Sequence, residues 1–349
     1  MILVTGGAGF IGANFVLQEV SKGQGIVVLD ALTYAGNLDN LSTVINNPNF
    51  FLEHGSINDP NFVEAVIHRY NPAAIVNFAA ESHVDRSISD PRSFVDTNLL
   101  GTFTLLEKTL HFWQNLNKQM QGEFRFLHVS TDEVYGTLLK DEPPFKETNP
   151  YAPNSPYSAS KAGADHMVRA FFHTYNLPVL TTNCSNNYGP FQFPEKLIPL
   201  VIHNALKEKT LPIYGDGMQV RDWLFVADHC NAISAVIEKG KPGETYNIGG
   251  NNEVANIEVV RHICAILDKS AARTSGAYED LISYVADRPG HDRRYAVNNS
   301  KIRREIGWTP KVDFTDGIKK TVDWYMNNSL WVDRIVSGVY RENLPKACE

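Results

Sequence analysis

Short apolar stretches alternate with helix-length segments through the first half of this 349-residue chain, and no other feature constrains the fold as tightly. Ile2-Leu3-Val4, Ile26-Val27-Val28-Leu29, Phe50-Phe51-Leu52, Ala74-Ile75-Val76-Asn77-Phe78 and Phe124-Arg125-Phe126-Leu127-His128-Val129 read as strands. Candidate helices start at Phe10 and cover 60–70, 93–115 and 157–175. Strands that are apolar without a break imply a sheet covered on both faces, hence parallel strands joined by helical crossovers. Such crossovers are almost always right-handed, so a doubly wound parallel α/β sheet of the Rossmann type is the economical topology. After Val179-Leu180 the regularity fades, and Gly, Pro and aromatic residues crowd Tyr188-Gly-Pro-Phe-Gln-Phe-Pro194 and Tyr214-Gly-Asp-Gly217. The expected organisation is a Rossmann domain over 1–185 and a smaller α/β substrate-binding domain over 186–349. Segments at about 221–250, namely Trp223 to Ile237 and Thr245 to Ile248, are expected to return to the first. No internal repeat or clean linker separates the two, so they interleave.

Gly6-Gly7-Ala8-Gly9-Phe10-Ile11-Gly12 lies between the first strand and the first helix, with Gly6, Gly9 and Gly12 in GxxGxxG spacing. Small residues there let backbone approach a pyrophosphate, whose charge faces the helix N-terminus. Glycine triplets also make plain tight turns. The strand-loop-helix context, and Asp30 closing the second strand where an acid can hold adenosine ribose hydroxyls, favour a dinucleotide. An acid at that position repels a 2′-phosphate, which points to NAD rather than NADP.

Tyr157 and Lys161 form a YxxxK pair at the start of a predicted helix, and their i, i+4 spacing puts them on one face. An ammonium beside a phenol favours the phenolate, giving a base able to take a proton from a sugar hydroxyl. YxxxK alone is also compatible with an ordinary surface helix. Upstream, His128-Val-Ser-Thr-Asp-Glu-Val-Tyr-Gly136 carries two adjacent acids, Asp132 and Glu133. Removing water from a sugar needs an acid for the leaving hydroxyl and a base for a carbon-bound proton, and two carboxyl groups in one site supply both. An isolated Asp-Glu is more often a solvated loop; its place beside Thr131 and upstream of Tyr157 argues against that. Arg221 and Arg288 are candidates for a substrate diphosphate, since guanidinium forks match paired oxygens. Phe191, Phe193, Tyr214 and Trp223 read individually as core rather than as ligand stackers.

A formal charge of −7 disfavours non-specific nucleic-acid binding, which depends on a basic surface. Cys184, Cys230, Cys264 and Cys348 have neither CxxC spacing nor a disulfide framework, so no metal site is expected. The chain opens on a strand-like segment without a signal-peptide pattern, and no apolar stretch approaches a membrane span. A cytoplasmic enzyme without membrane attachment is the simplest expectation.

With the glycine loop, the Tyr157-Lys161 pair resembles the extended short-chain dehydrogenase/reductase superfamily. Glu81-Ser-His-Val-Asp-Arg-Ser87, Ser130-Thr-Asp-Glu-Val-Tyr-Gly136, Tyr157-Ser-Ala-Ser-Lys161, Asn183-Cys-Ser-Asn-Asn-Tyr-Gly-Pro190 and Pro194-Glu-Lys-Leu-Ile-Pro199 resemble, more narrowly, its dTDP-glucose 4,6-dehydratase family. The likeness continues through Arg288-Pro-Gly-His-Asp-Arg-Arg-Tyr295 to Ser337-Gly-Val-Tyr340. It implies an NAD-dependent hydro-lyase that turns dTDP-glucose into dTDP-4-keto-6-deoxyglucose and water, feeding deoxysugar (for example rhamnose) biosynthesis. Under it Tyr157 deprotonates the C4 hydroxyl, Glu133 takes the C5 proton, Asp132 protonates the C6 hydroxyl, and Thr131 hydrogen-bonds the reacting oxygen. It adds Phe10, Ile11, Ser56, Ile57, Ala79, Ala80 and Thr97 to the cofactor residues. It places Ser82 and Asn187 near the sugar, and Lys196, Pro212, Tyr214, Arg221, Asn256, Arg288, His291 and Tyr340 around the nucleotide. His83 is left as a packing or cofactor-side residue. Where the family usually reads Gly-Asp-Ile, with the Asp on the adenine amine, this chain reads Gly55-Ser56-Ile57, which puts that contact in doubt. The resemblance also implies a homodimer through the helix Pro91 to Trp113 and the helix beginning at Tyr157. A nucleotide-sugar 4-epimerase, a dehydratase for another base, and a non-catalytic NAD-binding protein remain the alternatives. The acid pair speaks against the first, and the complete catalytic set against the last.

Overall fold

β1 (Ile2–Thr5) pairs with β2 (Ile26–Asp30) on one side and, skipping β3 (Phe50–His54), with β4 (Ala74–Asn77) on the other. The chain therefore builds outward in one direction, through β2 to β3, and then in the other, from β4 to β5 (Arg125–Thr131) and β6 (Val179–Cys184). β7 (Asn186–Tyr188), β8 (Leu211–Tyr214) and β9 (Val220–Phe225) leave this sheet, and β10 (Thr245–Ile248) returns to pair with β6. The result is a seven-stranded sheet, all parallel, in the order β10-β6-β5-β4-β1-β2-β3. Neighbouring connections reverse direction between β1 and β4, and the carboxyl ends of those strands open a crevice at this switch point. The computed structural model describes residues 1–287 and 291–341, so Arg288 and Cys348 lie outside the described residues.

Two apolar layers cover the sheet, as unbroken apolar strands require. Phe15 and Val16 of the helix Phe10–Ser21 share one layer with Val226, Ile233 and Val236. Ile67, Leu105, Leu106, Val168 and Phe171 fill the other. The stretch Trp223 to Ile237 divides its loyalties. Trp223 stays in β9, which pairs with β7 and with β11 (Glu253–Ala255) in a separate three-stranded sheet, whereas the helix Val226–Lys239 packs back on the large one. β8 pairs in parallel with β12 (Ile282–Val285). A third apolar cluster, including Tyr188, Ile198, Ile257, Phe314, Tyr325 and Trp331, supports this smaller part.

Two helices matter for the site. The predicted helix at 93–115 is a continuous rod whose middle, Val95–Gly101, widens into a π-helical turn before Thr102–Gln114. The Tyr157 helix (Pro156–Tyr175) starts sharply because Ser155 and Ser158 cap each other reciprocally and Pro156 occupies the first turn, where its missing N–H costs nothing. It ends at Asn176 in the left-handed region, φ 59°. Among the described residues, no helix is long and apolar enough to cross a membrane.

Candidate active site

The chain leaves β1 through Gly6 at φ 68° and enters the helix Phe10–Ser21. A Cβ on Gly6 would stand 2.7 Å from the Ala79 amide nitrogen, and one on Gly12 2.2 Å from the Gly6 carbonyl oxygen. Both glycines are therefore demanded by the turn itself. Gly9 is different: a Cβ there would make only an ordinary 3.4 Å contact. Its missing side chain leaves the helix N-terminus, which has no side-chain cap, open to a cavity of about 340 Å³. Uncapped first-turn N–H groups beside such a space suit an anion.

Phe10 and Ile11 join the three glycines in this wall, as do Ser56, Ile57, Ala79, Ala80 and Thr97, the last carried by the π-helical turn. Asp30 lies at the rim with one carboxylate oxygen accepting from the Ala8 amide and the other from Leu32, each at 2.8 Å. Burial raises its pKa above the usual carboxylate value, and the two amides oppose that rise. Ser56 Oγ accepts from the Asn58 amide at 3.1 Å, which leaves its hydroxyl proton free to donate into the cavity.

β5 delivers the chemistry. It ends at Thr131, whose hydroxyl accepts from the Glu133 amide, and a single 3₁₀ turn follows over Asp132–Tyr135. Asp132 is buried, and its Oδ2 has no hydrogen-bond partner among the described residues. Burial drives its pKa well above the usual carboxylate value, with the charges of Glu133 and Asp222 adding to the rise and Arg221 opposing it. This environment favours the neutral carboxylic acid form of Asp132. Glu133, its neighbour, reaches the wall that this cavity shares with a second one. Tyr157 faces Thr131 and both acids across the cavity. Burial raises the Tyr157 phenol far above its ordinary value, Glu133 adds to that, and the Thr131 hydroxyl pulls the other way. Lys161 is buried one turn further along the same helix face. Its ammonium donates to the Val129 carbonyl at 2.8 Å.

The second cavity, of about 420 Å³, adjoins the first through Ser82, Glu133, Asn187, Glu195 and Lys196. Lys196 donates to the Ser82 carbonyl at 3.1 Å, and Asn187 is held by His229 at 2.9 Å. Pro212 and Tyr214 of β8, Arg221 of β9, Asn256 and His291 line its far side. The Arg221 guanidinium donates to the Val220 and Asp292 carbonyls and lies 4.5 Å above the Tyr295 ring. His291 pairs with Asp287 at 2.6 Å. His83 caps the short helix Val84–Ser89 and lines this cavity, 3.6 Å from Glu195.

Two sequence expectations are corrected. Tyr214 is no core residue: it is 44% exposed at the cavity rim. Tyr340 lines neither cavity; it is buried against Phe193, and its hydroxyl donates to the Tyr34 carbonyl. The predicted diphosphate ligand Arg288 lies outside the described residues.

Several wall residues went unread in the sequence. Glu195 and Tyr295 lie inside motifs that were singled out, so the signal was present. Tyr34, Trp331 and Ile335 had none. The C-terminal helix Ser329–Ser337 reaches the first cavity from 291 positions away, tied by Trp331 Nε1 to Asn40 Oδ1 at 2.9 Å and by Arg334 to Asp39 at 2.7 Å. Among the described residues, no cluster of His, Cys, Asp or Glu is arranged to hold a metal ion.

A seven-stranded parallel sheet with a glycine loop at its first helix, and Thr131, Tyr157 and Lys161 gathered at its switch-point crevice, defines a Rossmann enzyme of the dinucleotide-dependent kind. Comparison narrows this. The family model described as GDP-mannose 4,6 dehydratase matches residues 3–321, and the chain belongs to that family. It is 59% identical over 340 residues to a dTDP-glucose 4,6-dehydratase of Xanthomonas campestris pv. campestris, with 97% of each chain covered. The crystal structure of dTDP-glucose 4,6-dehydratase from Bacillus anthracis in complex with NAD is similar at TM-score 0.85 and 48% identity, over 96% of this chain and 99% of that one. That of the Streptomyces venezuelae dTDP-glucose 4,6-dehydratase, with NAD and TYD bound, is similar at TM-score 0.87 and 45% identity, with the same coverage.

Proposed function

We infer that the chain is an NAD-dependent hydro-lyase, a dTDP-glucose 4,6-dehydratase that converts dTDP-glucose to dTDP-4-keto-6-deoxyglucose and water. One observation carries the reading. Two adjacent acids at the end of β5 have opposite environments, Asp132 buried with its Oδ2 unpartnered among the described residues and Glu133 at the wall between two joined cavities. An oxidation or an epimerisation uses no such pair, whereas an elimination of water needs one acid and one base.

The glycine loop fits the cofactor's diphosphate, Asp30 and Ser56 its adenosine end, and Thr97, Ala79 and Ala80 the wall beside it. NAD, held there, would supply the hydride acceptor for sugar C4 and the hydride donor for C6, so no net redox change would result. In this reading Tyr157 accepts the proton of the C4 hydroxyl while Thr131 hydrogen-bonds that oxygen. Burial opposes the phenolate, and the Lys161 charge on the same helix face favours it. The new C4 ketone acidifies C5, whose proton goes to Glu133. Asp132, kept protonated by its burial, gives its proton to the C6 hydroxyl, which leaves as water. Glu133 then returns a proton to C5 as C6 is reduced. Arg221, His291, Asn256, Lys196, Pro212 and Tyr214 surround the nucleotide, with Arg221 the main cation for the diphosphate, and Ser82 and Asn187 stand by the sugar.

The protein acts as a homodimer in the cytoplasm, without a nucleic-acid or membrane partner. The dimer is supported by apolar surface on the rod that runs alongside the Tyr157 helix, where Val95 is 40% and Leu100 49% exposed. A sedimentation mass equal to one 39.0 kDa chain would overturn it. The function is tested by incubating the protein with dTDP-glucose, without added hydride acceptor, and following products by NMR. A C6 methyl signal with a C4 ketone is expected, and Glu133→Gln should abolish it. Formation of dTDP-galactose would instead identify an epimerase.

A further inference from the structure

Behind the catalytic pair lies a buried polar cluster that the chemistry above does not use. Tyr157, Lys161 and Asp165 follow one another at four-residue intervals on the same helix, so their side chains share one face. All three are buried. Asp165 Oδ2 accepts from the Ser130 hydroxyl at 2.9 Å and from the Tyr151 hydroxyl at 3.0 Å. Its Oδ1 lies 3.4 Å from His128 Nε2.

The tautomer of His128 can be assigned from its other side. The Thr5 hydroxyl donates to Asn77 Oδ1 at 2.6 Å, which turns the Asn77 amide nitrogen toward Thr102 and toward His128 Nδ1, at 3.1 Å. His128 Nδ1 is therefore the acceptor and Nε2 carries the proton, on the side where Asp165 Oδ1 lies 3.4 Å away. Burial and the neighbouring Lys161 charge push the imidazole down to about 4, so it is neutral at physiological pH. Lys161 Nζ stands 3.4 Å from the same Nε2, a donor beside a donor, and makes its hydrogen bond to Val129 instead. The imidazole thus offers Lys161 no negative partner. Asp165 does.

An isolated ammonium in a protein interior gives up its proton unless an opposite charge lies close by. We propose that Asp165 is a positioning residue for the catalytic base: its carboxylate, which like Lys161 Nζ stands 3.4 Å from His128 Nε2, is the counter-charge of Lys161, and its hydrogen bonds from Ser130 and Tyr151 hold the helix face of Tyr157 and Lys161 against β5. The inference rests on the roles given to Tyr157 and Lys161 under the proposed function. The other ionisable groups around Lys161 are Tyr157 on its own helix, His128 on β5, Asp132 and Glu133 in the turn after β5, and Cys184 on β6. Burial lowers the Lys161 pKa, and Asp165 is the larger of the two charges resisting that, ahead of Cys184. Burial pushes the Cys184 thiol up to about 12, so it is uncharged at physiological pH and Asp165 is left as the effective partner.

The test is the pH profile of kcat for Asp165→Asn, made in the full chain loaded with NAD. Activity falls on the alkaline side when Lys161 loses its proton. Without the counter-charge that loss comes earlier, so the alkaline limb should move to lower pH by about one unit or more, with kcat down roughly tenfold at neutral pH. A folded variant whose alkaline limb stays in place overturns the proposal, whatever its kcat. Lys161→Met and Tyr157→Phe are run beside it. If either retains wild-type turnover, the assignment of the base itself fails, and the proposal with it. If both are inactive and the Asp165→Asn limb is unmoved, only the proposal fails. Should Asp165→Asn not fold, Asp165→Ser, likewise uncharged, takes its place. The same limb should then shift in the same direction, and an unshifted limb again overturns the idea.

Discussion

The two joined cavities are made in different ways. The first is a backbone site, whose walls are consecutive strand ends of one sheet, glycines and alanines, and a helix N-terminus. The second is a side-chain site, whose polar walls come from β8, β9, the start of the helix Asn256–Ser270 and the segment around His291. A dinucleotide is recognised largely by main-chain N–H groups, which any sequence with the right turn supplies. A particular nucleotide sugar must be chosen by charged and aromatic groups, which a smaller sheet has to hold in place. Thr131, Asp132, Tyr157 and Lys161 line the first cavity, on the end of β5 and the first turns of the Tyr157 helix, and Glu133 lines both. Damage to one cavity should therefore leave binding in the other largely intact.

The largest effect expected from breaking this separation is on turnover. Tyr157→Phe should lower kcat by about 10³-fold or more, as for loss of a general base, while the purified variant keeps its NAD. Release of NAD, read from the absorbance of the heat-precipitated supernatant, would mean that the chemistry and the backbone site are not separable. Arg221→Met should come next. Losing hydrogen bonds to a charged diphosphate costs about 1.5–3 kcal/mol, so KM for dTDP-glucose should rise by roughly 10- to 100-fold, with kcat changed much less and NAD retained. Steady-state kinetics separate the two parameters.

Asp132→Asn sharpens the comparison through stability. Burial raises the proton affinity of Asp132 in the folded state above that in the unfolded chain. Wild-type stability therefore falls as pH rises through and beyond the usual carboxylate pKa, and the amide does not share the loss. The variant should melt higher than wild type at neutral pH, by about 2 °C or more, and the gain should vanish in acid below the usual carboxylate pKa. Calorimetry at the two pH values decides it. The smallest effect concerns the rim of the backbone site. Ser56→Asp adds an acceptor at the adenosine end and should tighten NAD by about two- to fivefold, without altering kcat, in an equilibrium titration of the stripped protein.

How much of this was legible in the residues differs along the same line. The parallel sheet was written in unbroken apolar runs, since only a strand covered on both faces tolerates them. The glycine loop, Asp30, the acid pair and the YxxxK helix were legible because each is a local pattern whose spacing already fixes which groups face together. Tyr340 misled because a motif says that a residue is near a site, not which way it points; here its hydroxyl is taken up by Tyr34. Tyr214 misled because an aromatic residue in a Gly-rich segment reads as core, whereas β8 pairs on one side with β12 and leaves it at the rim.

The sequence by itself determined the class of sheet, the glycine loop and the cluster of Thr131, Asp132, Glu133, Tyr157 and Lys161 at its crevice, because these depend on neighbours a few residues apart. Only the tertiary structure decided their chemical states. Asp132 and Glu133 are adjacent and nearly alike in covalent terms, yet Asp132 is buried in the first cavity, acted on by the charges of Arg221 and Asp222, while Glu133 opens on the wall both cavities share. Tertiary structure also brought Trp331 to the cofactor cavity and set His128 against Asp165 behind Lys161. Burial and long-range charge set a proton's affinity, and both are properties of chain segments that meet in space from distant positions.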